Sequence, residues 1–265
     1  MLNLLNSSSV WTPWIVAIAL NAVLAAIATV IPKKLLTPAG LIHAVCLGVL
    51  VWGALGASGY AVIMVYFLVG SAVTRVGMAE KEAAGIAEKR SGARGPENVW
   101  GSALVAALCA VGILLVRWQI FSGAAVSMLE TALMLGYVAS LSTKLSDTCA
   151  SEVGKAYGKS TFLITTFKPV PAGTEGAVSL EGTLAGVVGS LAIALIGWGV
   201  GMIDLLGIGL CAIAAFVATN LESVIGATLQ DRFDWLTNEV VNIINTLIGA
   251  LVAIALYALA IAVGS

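Results

Sequence analysis

The densest run of residues able to do chemistry is Lys144-Leu-Ser-Asp147-Thr-Cys-Ala-Ser151-Glu152-Val-Gly154-Lys155. Helical neighbours lie three or four positions apart, so a helix here would bring Lys144, Asp147, Ser151 and Lys155 onto one face, with Glu152 one step around it. Carboxylates beside lysines suit joint binding of Mg²⁺ and phosphate: hard Mg²⁺ takes carboxylate, phosphate and water oxygens, and Lys binds phosphate as a point charge. A solvated helix end with internal ion pairs has the same pattern. The overlapping Gly154-Lys-Ala-Tyr-Gly158-Lys159-Ser160 is one residue short of the P-loop spacing and follows an apolar helical stretch instead of a strand, which excludes a P-loop. A basic, glycine-containing turn against phosphate stays open.

Three further clusters carry polar groups. Lys168-Pro-Val-Pro-Ala-Gly173-Thr174-Glu-Gly176-Ala-Val-Ser179-Leu-Glu181-Gly182-Thr183 runs from a loop into an apolar stretch. Its glycines allow close backbone approach to a ligand. Ser179 or Glu181 would cap a helix whose N-terminus favours anions. Gly182 and Gly186 equally suit close helix packing. The stretch from Arg75 to Asn98 holds an amphipathic charged segment and then Lys89-Arg90-Ser-Gly-Ala-Arg94-Gly-Pro96-Glu97-Asn98. That run reads either as a flap over phosphates or as basic residues facing lipid headgroups. Asn220, Glu222, Ser223 and Gly226 precede Asn238, Asn242 and Asn245, which share one helix face. Helix–helix hydrogen bonds explain the amides, while an acid inside a membrane segment is a functional candidate by default.

These residues must be held by membrane helices. Of 265 residues, 60% are hydrophobic and 10% charged, where a soluble domain carries about a quarter charged. The expected fold is all-α, a single polytopic transmembrane bundle spanning 1–265. At about 20 apolar residues per crossing, eight candidate spans occupy 11–31, 38–55, 60–74, 98–116, 124–143, 180–200, 204–225 and 240–263. The second and third, separated by Gly56-Ala-Ser-Gly59, read as two spans or one re-entrant hairpin. The first, with no Lys or Arg before Lys33, is expected to be a retained span and not a cleaved signal. With alternating loops, twelve of the thirteen basic residues fall on one side and Arg117 alone on the other. The positive-inside rule makes the basic side cytoplasmic or stromal, with both termini opposite. The segments 75–97 and 144–179 would then be same-side loops forming a polar active-site face. Cys46, Cys109, Cys149 and Cys211 lack metal or redox spacing, and His43 reads as a packed, hydrogen-bonded side chain. A net charge of −1 gives no sign of a nucleic-acid partner.

All the clusters share one side, and the midplane holds only Glu130 as a charge away from it. A transporter gathers polar groups at the midplane. A polar membrane face instead suits phosphoryl transfer, which needs positioning and charge neutralisation more than covalent chemistry.

The motifs Asp147-Thr-Cys-Ala-Ser151-Glu152-Val-Gly154, Pro169-Val-Pro171-Ala-Gly173-Thr174-Glu-Gly176, Ser179-Leu-Glu-Gly182-Thr183-Leu-Ala-Gly186, Pro96-Glu97-Asn98-Val-Trp100-Gly101 and Asn220-Leu-Glu222-Ser223-Val-Ile-Gly226 carry a resemblance. So does Leu236-Thr-Asn238-Glu-Val-Val-Asn242. Together they resemble an integral-membrane family that includes the transmembrane-protein-nineteen proteins and plant and cyanobacterial phytyl-phosphate kinase. More distantly they are similar to CTP-using dolichol and phytol kinases and to phosphatidate cytidylyltransferase. The C-terminal His motif of the cytidylyltransferases is absent at Leu229-Gln-Asp231-Arg232-Phe-Asp234, which favours a kinase.

The resemblance implies Mg²⁺, a nucleoside triphosphate donor (CTP, with UTP or ATP as alternatives) and an isoprenoid acceptor held in the bilayer. For the nearest relatives the acceptor is phytyl monophosphate and the product phytyl diphosphate, a precursor of tocopherol and phylloquinone. Asp147, Glu152 and Lys144 are the expected catalytic residues. Asp147 and Glu152, with Glu222, are the expected metal ligands. Lys155, Lys159, Lys168, Arg75 and Arg94 are expected to neutralise phosphates. Ser151, Thr174, Gly176, Ser179, Asn98, Asn220, Asn238 and Asn242 are expected to line the nucleotide and phosphate site. The alternatives are an isoprenol kinase acting on the free alcohol, a lipid or small-molecule transporter, and a structural scaffold.

Overall fold

The computed structural model describes residues 7–32, 34–118 and 125–264; Lys33 and position 124, which entered the loop and span readings, lie outside the described residues. Eight helices follow in order: α1 (Ser7–Val30), α2 (Pro38–Val73), α3 (Met78–Ala83), α4 (Pro96–Arg117), α5 (Ala125–Tyr157), α6 (Leu180–Gly199), α7 (Leu205–Thr228) and α8 (Asn238–Gly264). Two short antiparallel strands, β1 (Phe162–Leu163) and β2 (Ala177–Val178), tie together the α5–α6 loop. Among the described residues, seven helices are long and apolar enough to cross a membrane.

The longest of the seven is a hairpin. Gly56 breaks α2 with φ +66° and ψ −156°, a conformation open mainly to glycine. Thr37 N donates to Arg94 O at 3.0 Å, and Gly70 packs against the Arg94 guanidinium. In a straight helix, positions 37 and 70 would be about 50 Å apart, so the two arms must fold back on each other. The ring of Trp52 meets Tyr60 edge-on across the bend, with 5.2 Å between centroids. The eight stretches expected from the sequence thus fall on seven long apolar helices, those at 38–55 and 60–74 forming the antiparallel arms of α2 around Gly56.

Caps mark the helix starts. Thr37 accepts from Gly40 N, Ser179 from Gly182 N and Asp204 from Gly207 N, and Asn98 accepts from Gly95 N at the start of α4. Pro38 and Pro96 each occupy the first turn, where a missing N–H costs nothing. At the other end of α1, the Lys34 ammonium donates to Thr29 O at 2.6 Å. The Gly56 bend lies beside Arg117, whose guanidinium donates to Ala54 O at 3.0 Å. There Arg117 pairs with Glu130 at 2.8 Å, and Ser58 donates to Val200 O.

The central helix α5 packs against α2, α4, α6, α7 and α8. Its 33 residues extend about 50 Å against a hydrocarbon core of about 30 Å. The surplus is the polar stretch 144–157, expected in a loop and found as helix. Small residues bring α6 against it. A Cβ at Gly186 would stand 3.0 Å from Ser146 O, and one at Gly189 would stand 2.8 Å from Cys149 Sγ. Gly182 and Gly186 therefore serve backbone packing. His43 accepts from Trp100 Nε1 at 2.9 Å, and the four cysteines are free.

Candidate active site

The polar end of α5 forms the floor of a cavity of about 690 Å³ at one membrane face. The Lys144 ammonium donates to Asp147 Oδ2 at 2.5 Å and to Asn242 Oδ1, on α8, at 2.6 Å. All three residues are nearly inaccessible to solvent. Glu222 of α7 faces Lys144 and Asp147 from the opposite wall. The starts of α4, α6 and α8 open onto the cavity at Asn98, at Ser179 to Thr183 and at Asn238. The helix dipoles favour an anion at such ends. The loop from 161 to 178 and the 86–94 segment close over the top, meeting where Gly173 packs on Ile86.

On the α5 face, Lys144, Asp147, Ser151 and Lys155 all line the cavity, as helical spacing requires. Arg94, Asn98, Thr174, Gly176 and Ser179 join them from the loops and helix starts, as do Asn220, Glu222, Asn238 and Asn242 from α7 and α8. Three expected cations do not. Arg75 donates to Lys34 O at 2.9 Å outside the cavity, and Lys159 and Lys168 are exposed away from its wall. Position alone separates them from Lys155: they follow the end of α5 and lack its helical placement.

Several expected ligand contacts are already engaged. Glu152 is buried and forms an ion pair with Lys81, itself only 1% exposed. Lys81 also donates to Thr74 O at 2.9 Å, so the pair fastens α3 and the end of α2 to α5. Glu152 thus lines the cavity while serving as a clamp. Asn98 accepts from Gly95 N and from Arg90, whose guanidinium also pairs with Glu97. Asn220 donates to Phe216 O at 2.7 Å. Gly176, at φ +75°, leaves no room for a side chain: a Cβ would meet Ser223 O at 2.6 Å. It seats the roof loop on α7.

Lys81, Glu88 and Thr148 carry no site reading in the sequence, while Arg90 belongs to the basic run read there as a flap over phosphates or a headgroup contact. Glu88 lies 3.6 Å from Lys155. The signal for Lys81 was faint: one cation in the six-residue helix MAEKEA, whose partner is 71 positions away.

Among the described residues no three acidic, His or Cys groups converge into a complete metal site. Mg²⁺ commonly uses one or two carboxylates plus substrate phosphates and water. Asp147 and Glu222, facing each other from α5 and α7, fit that donor set.

The fold and this cavity define a multi-pass integral membrane protein with a polar chamber at one face, its described lining carrying seven carboxylates and four cations. The chain belongs to the integral membrane protein family DUF92, whose model matches residues 21–250. It is 64% identical over 250 residues to an uncharacterized membrane protein of Synechocystis sp., covering 94% of this chain and 93% of that one. It is 46% identical over 243 residues to the chloroplastic protein VTE6 of Arabidopsis thaliana, covering 91% of this chain and 71% of VTE6. An uncharacterized membrane protein of Methanocaldococcus jannaschii is 34% identical over 197 residues, 74% of each chain. No solved structure matches.

Proposed function

We infer that the protein is a membrane-embedded kinase that transfers the γ-phosphoryl group of CTP to phytyl monophosphate, giving phytyl diphosphate. The observation that carries this reading is one cavity at a membrane face whose lining brings Lys144, Lys155, Arg90 and Arg94 together with a set of carboxylates that includes Asp147 and Glu222, as joint binding of Mg²⁺ and phosphate requires. First-turn residues of α4, α6 and α8 line the same space, which supports a ligand with several phosphates. Similarity to VTE6 supports a role in tocopherol synthesis. The family resemblance supplies the choice of CTP and of phytyl phosphate, with UTP or ATP and the free alcohol as alternatives.

An oxygen of the acceptor monophosphate forms a bond to the γ-phosphorus, the bond from that phosphorus to the β-bridging oxygen breaks, and CDP departs with the electron pair. The acceptor oxygen is already ionised at neutral pH, so no general base is needed, which suits a cavity without histidine. Asp147 and Glu222 would hold Mg²⁺, which neutralises charge on the transferring group. Lys144 orients Asp147 through its short ion pair and adds positive charge at the floor. Arg94 and Lys155 receive phosphates at the walls. The basic loops make this face cytoplasmic or stromal.

The test is a turnover assay on detergent-purified protein with Mg²⁺, each nucleoside triphosphate and each acceptor, with the lipid product identified by mass. Phytyl diphosphate formed with CTP supports the reading. Substrate flux into vesicles without nucleotide consumption would replace it with the transporter.

A further inference from the structure

A second cavity, of about 320 Å³, lies between α1, the two arms of α2, and α4. Its walls are apolar: Leu24 and Ala28 from α1, Ala44 and Leu47 from the first arm of α2, Met64 and Phe67 from the second. Two residues, Arg94 and Ser102, line both this slot and the polar cavity and form the wall the two spaces share. Arg94 is fixed at the junction. It donates to Tyr66 OH at 2.8 Å, and its guanidinium lies over the Tyr66 ring, 5.4 Å from the centroid. At the deep end, Tyr60 OH donates to Asn21 Oδ1 at 3.0 Å, and the Asn21 amide donates to Ala17 O. These buried polar groups satisfy one another and form a floor.

We propose that this slot holds the head-proximal part of the acceptor's isoprenoid chain, with its phosphate at Arg94 facing the polar cavity. The proposal rests on the kinase reading and assigns the acceptor's side of that site. The chemistry of the walls selects the occupant. One end is cationic and adjoins the phosphate chamber, and the walls from there to the Asn21–Tyr60 floor are hydrocarbon, which matches an amphiphile with an anionic head and a long apolar tail. The depth from Gly40, beside Arg94, to Gly48, beside Asn21, is about 12 Å at the helical rise. A long prenyl chain is therefore only partly enclosed. The rest passes beside α1, which packs chiefly on α2 and exposes most of its surface to lipid.

The test uses the full chain in detergent with a prenyl monophosphate carrying a photoreactive diazirine near the head, in the absence of nucleotide. Adducts on α1, both arms of α2 and α4, competed by unlabelled phytyl phosphate but not by phosphatidylcholine, are expected. Adducts on other helices, or equal labelling by a diazirine phosphatidylcholine, would overturn the assignment. In turnover, Leu47→Trp and Leu24→Trp, at the deep end beside Asn21 and Gly48, should raise KM for phytyl phosphate about tenfold or more. They should leave KM for dimethylallyl phosphate, whose short chain never reaches them, unchanged. Equal loss with both acceptors would count against the slot. Turnover with labelling elsewhere removes the slot and keeps the kinase; slot labelling without turnover removes the kinase and keeps the slot.

Discussion

The Lys144 ammonium lies 2.5 Å from Asp147 Oδ2, one helical turn further along α5, and both side chains are nearly cut off from solvent. A buried charge without its partner is costly, so each residue holds the other in its charged, oriented state. Replacing Lys144 with Met should lower kcat about 10²-fold or more, as for loss of a preorganised charge at a transferring group. Single-turnover rates with saturating nucleotide would check this. A normal rate would make Lys144 a strut for Asn242 and nothing more.

Glu152 and Lys81 tie α3 to α5, so their role is separable from chemistry. Either single change, Lys81→Met or Glu152→Leu, should destabilise the protein by about 3–5 kcal/mol by stranding a buried charge. The double variant should recover much of that loss. Thermal melts of the four proteins in one detergent form the double-mutant cycle. An additive result would mean that the two groups do not depend on each other.

Gly176 seats the roof loop against Ser223 and Ala227 of α7 at a positive φ. Gly176→Ala adds both a clash and backbone strain, costing about 1–3 kcal/mol locally. The expected outcome is a raised KM for nucleotide with little change in the melting temperature, because the bundle does not depend on the roof. Protease sensitivity confined to 158–179 would accompany it.

The basic residues divide by position. Arg94→Ala should raise KM for the acceptor about tenfold or more, as loss of a charge-assisted phosphate contact implies. Arg75→Ala and Lys168→Ala, outside the cavity wall, should stay within about twofold of the parent, since exposed charges contribute little. Kinetics on the three variants in the same detergent decide it.

Much of this arrangement is legible in local spacing. The interval from Lys144 to Lys155 is helical, and its steps of three and four residues place Lys144, Asp147, Ser151 and Lys155 on one cavity. Ser179 caps α6 as its position before an apolar run implies, and the loop charges sort onto the face that holds the cavity. The remainder depends on contacts between distant segments. Lys81 looks like any charged surface residue until α3 folds against Glu152. Arg75, Lys159 and Lys168 have the same composition signal as Arg94 and Lys155, and only the paths of their loops set them apart. The apolar slot leaves no motif at all, because leucines and alanines facing a ligand are indistinguishable in sequence from those facing lipid.

The central claim is that Asp147 serves phosphoryl transfer to a lipid monophosphate. Its most direct test is the mass of the lipid product formed from CTP and phytyl phosphate by the parent protein and by Asp147→Ala, both shown folded by melting temperature. Phytyl diphosphate from the parent and none from Asp147→Ala is the predicted result. Equal product from both proteins, or none from the folded parent with any nucleotide, would contradict it.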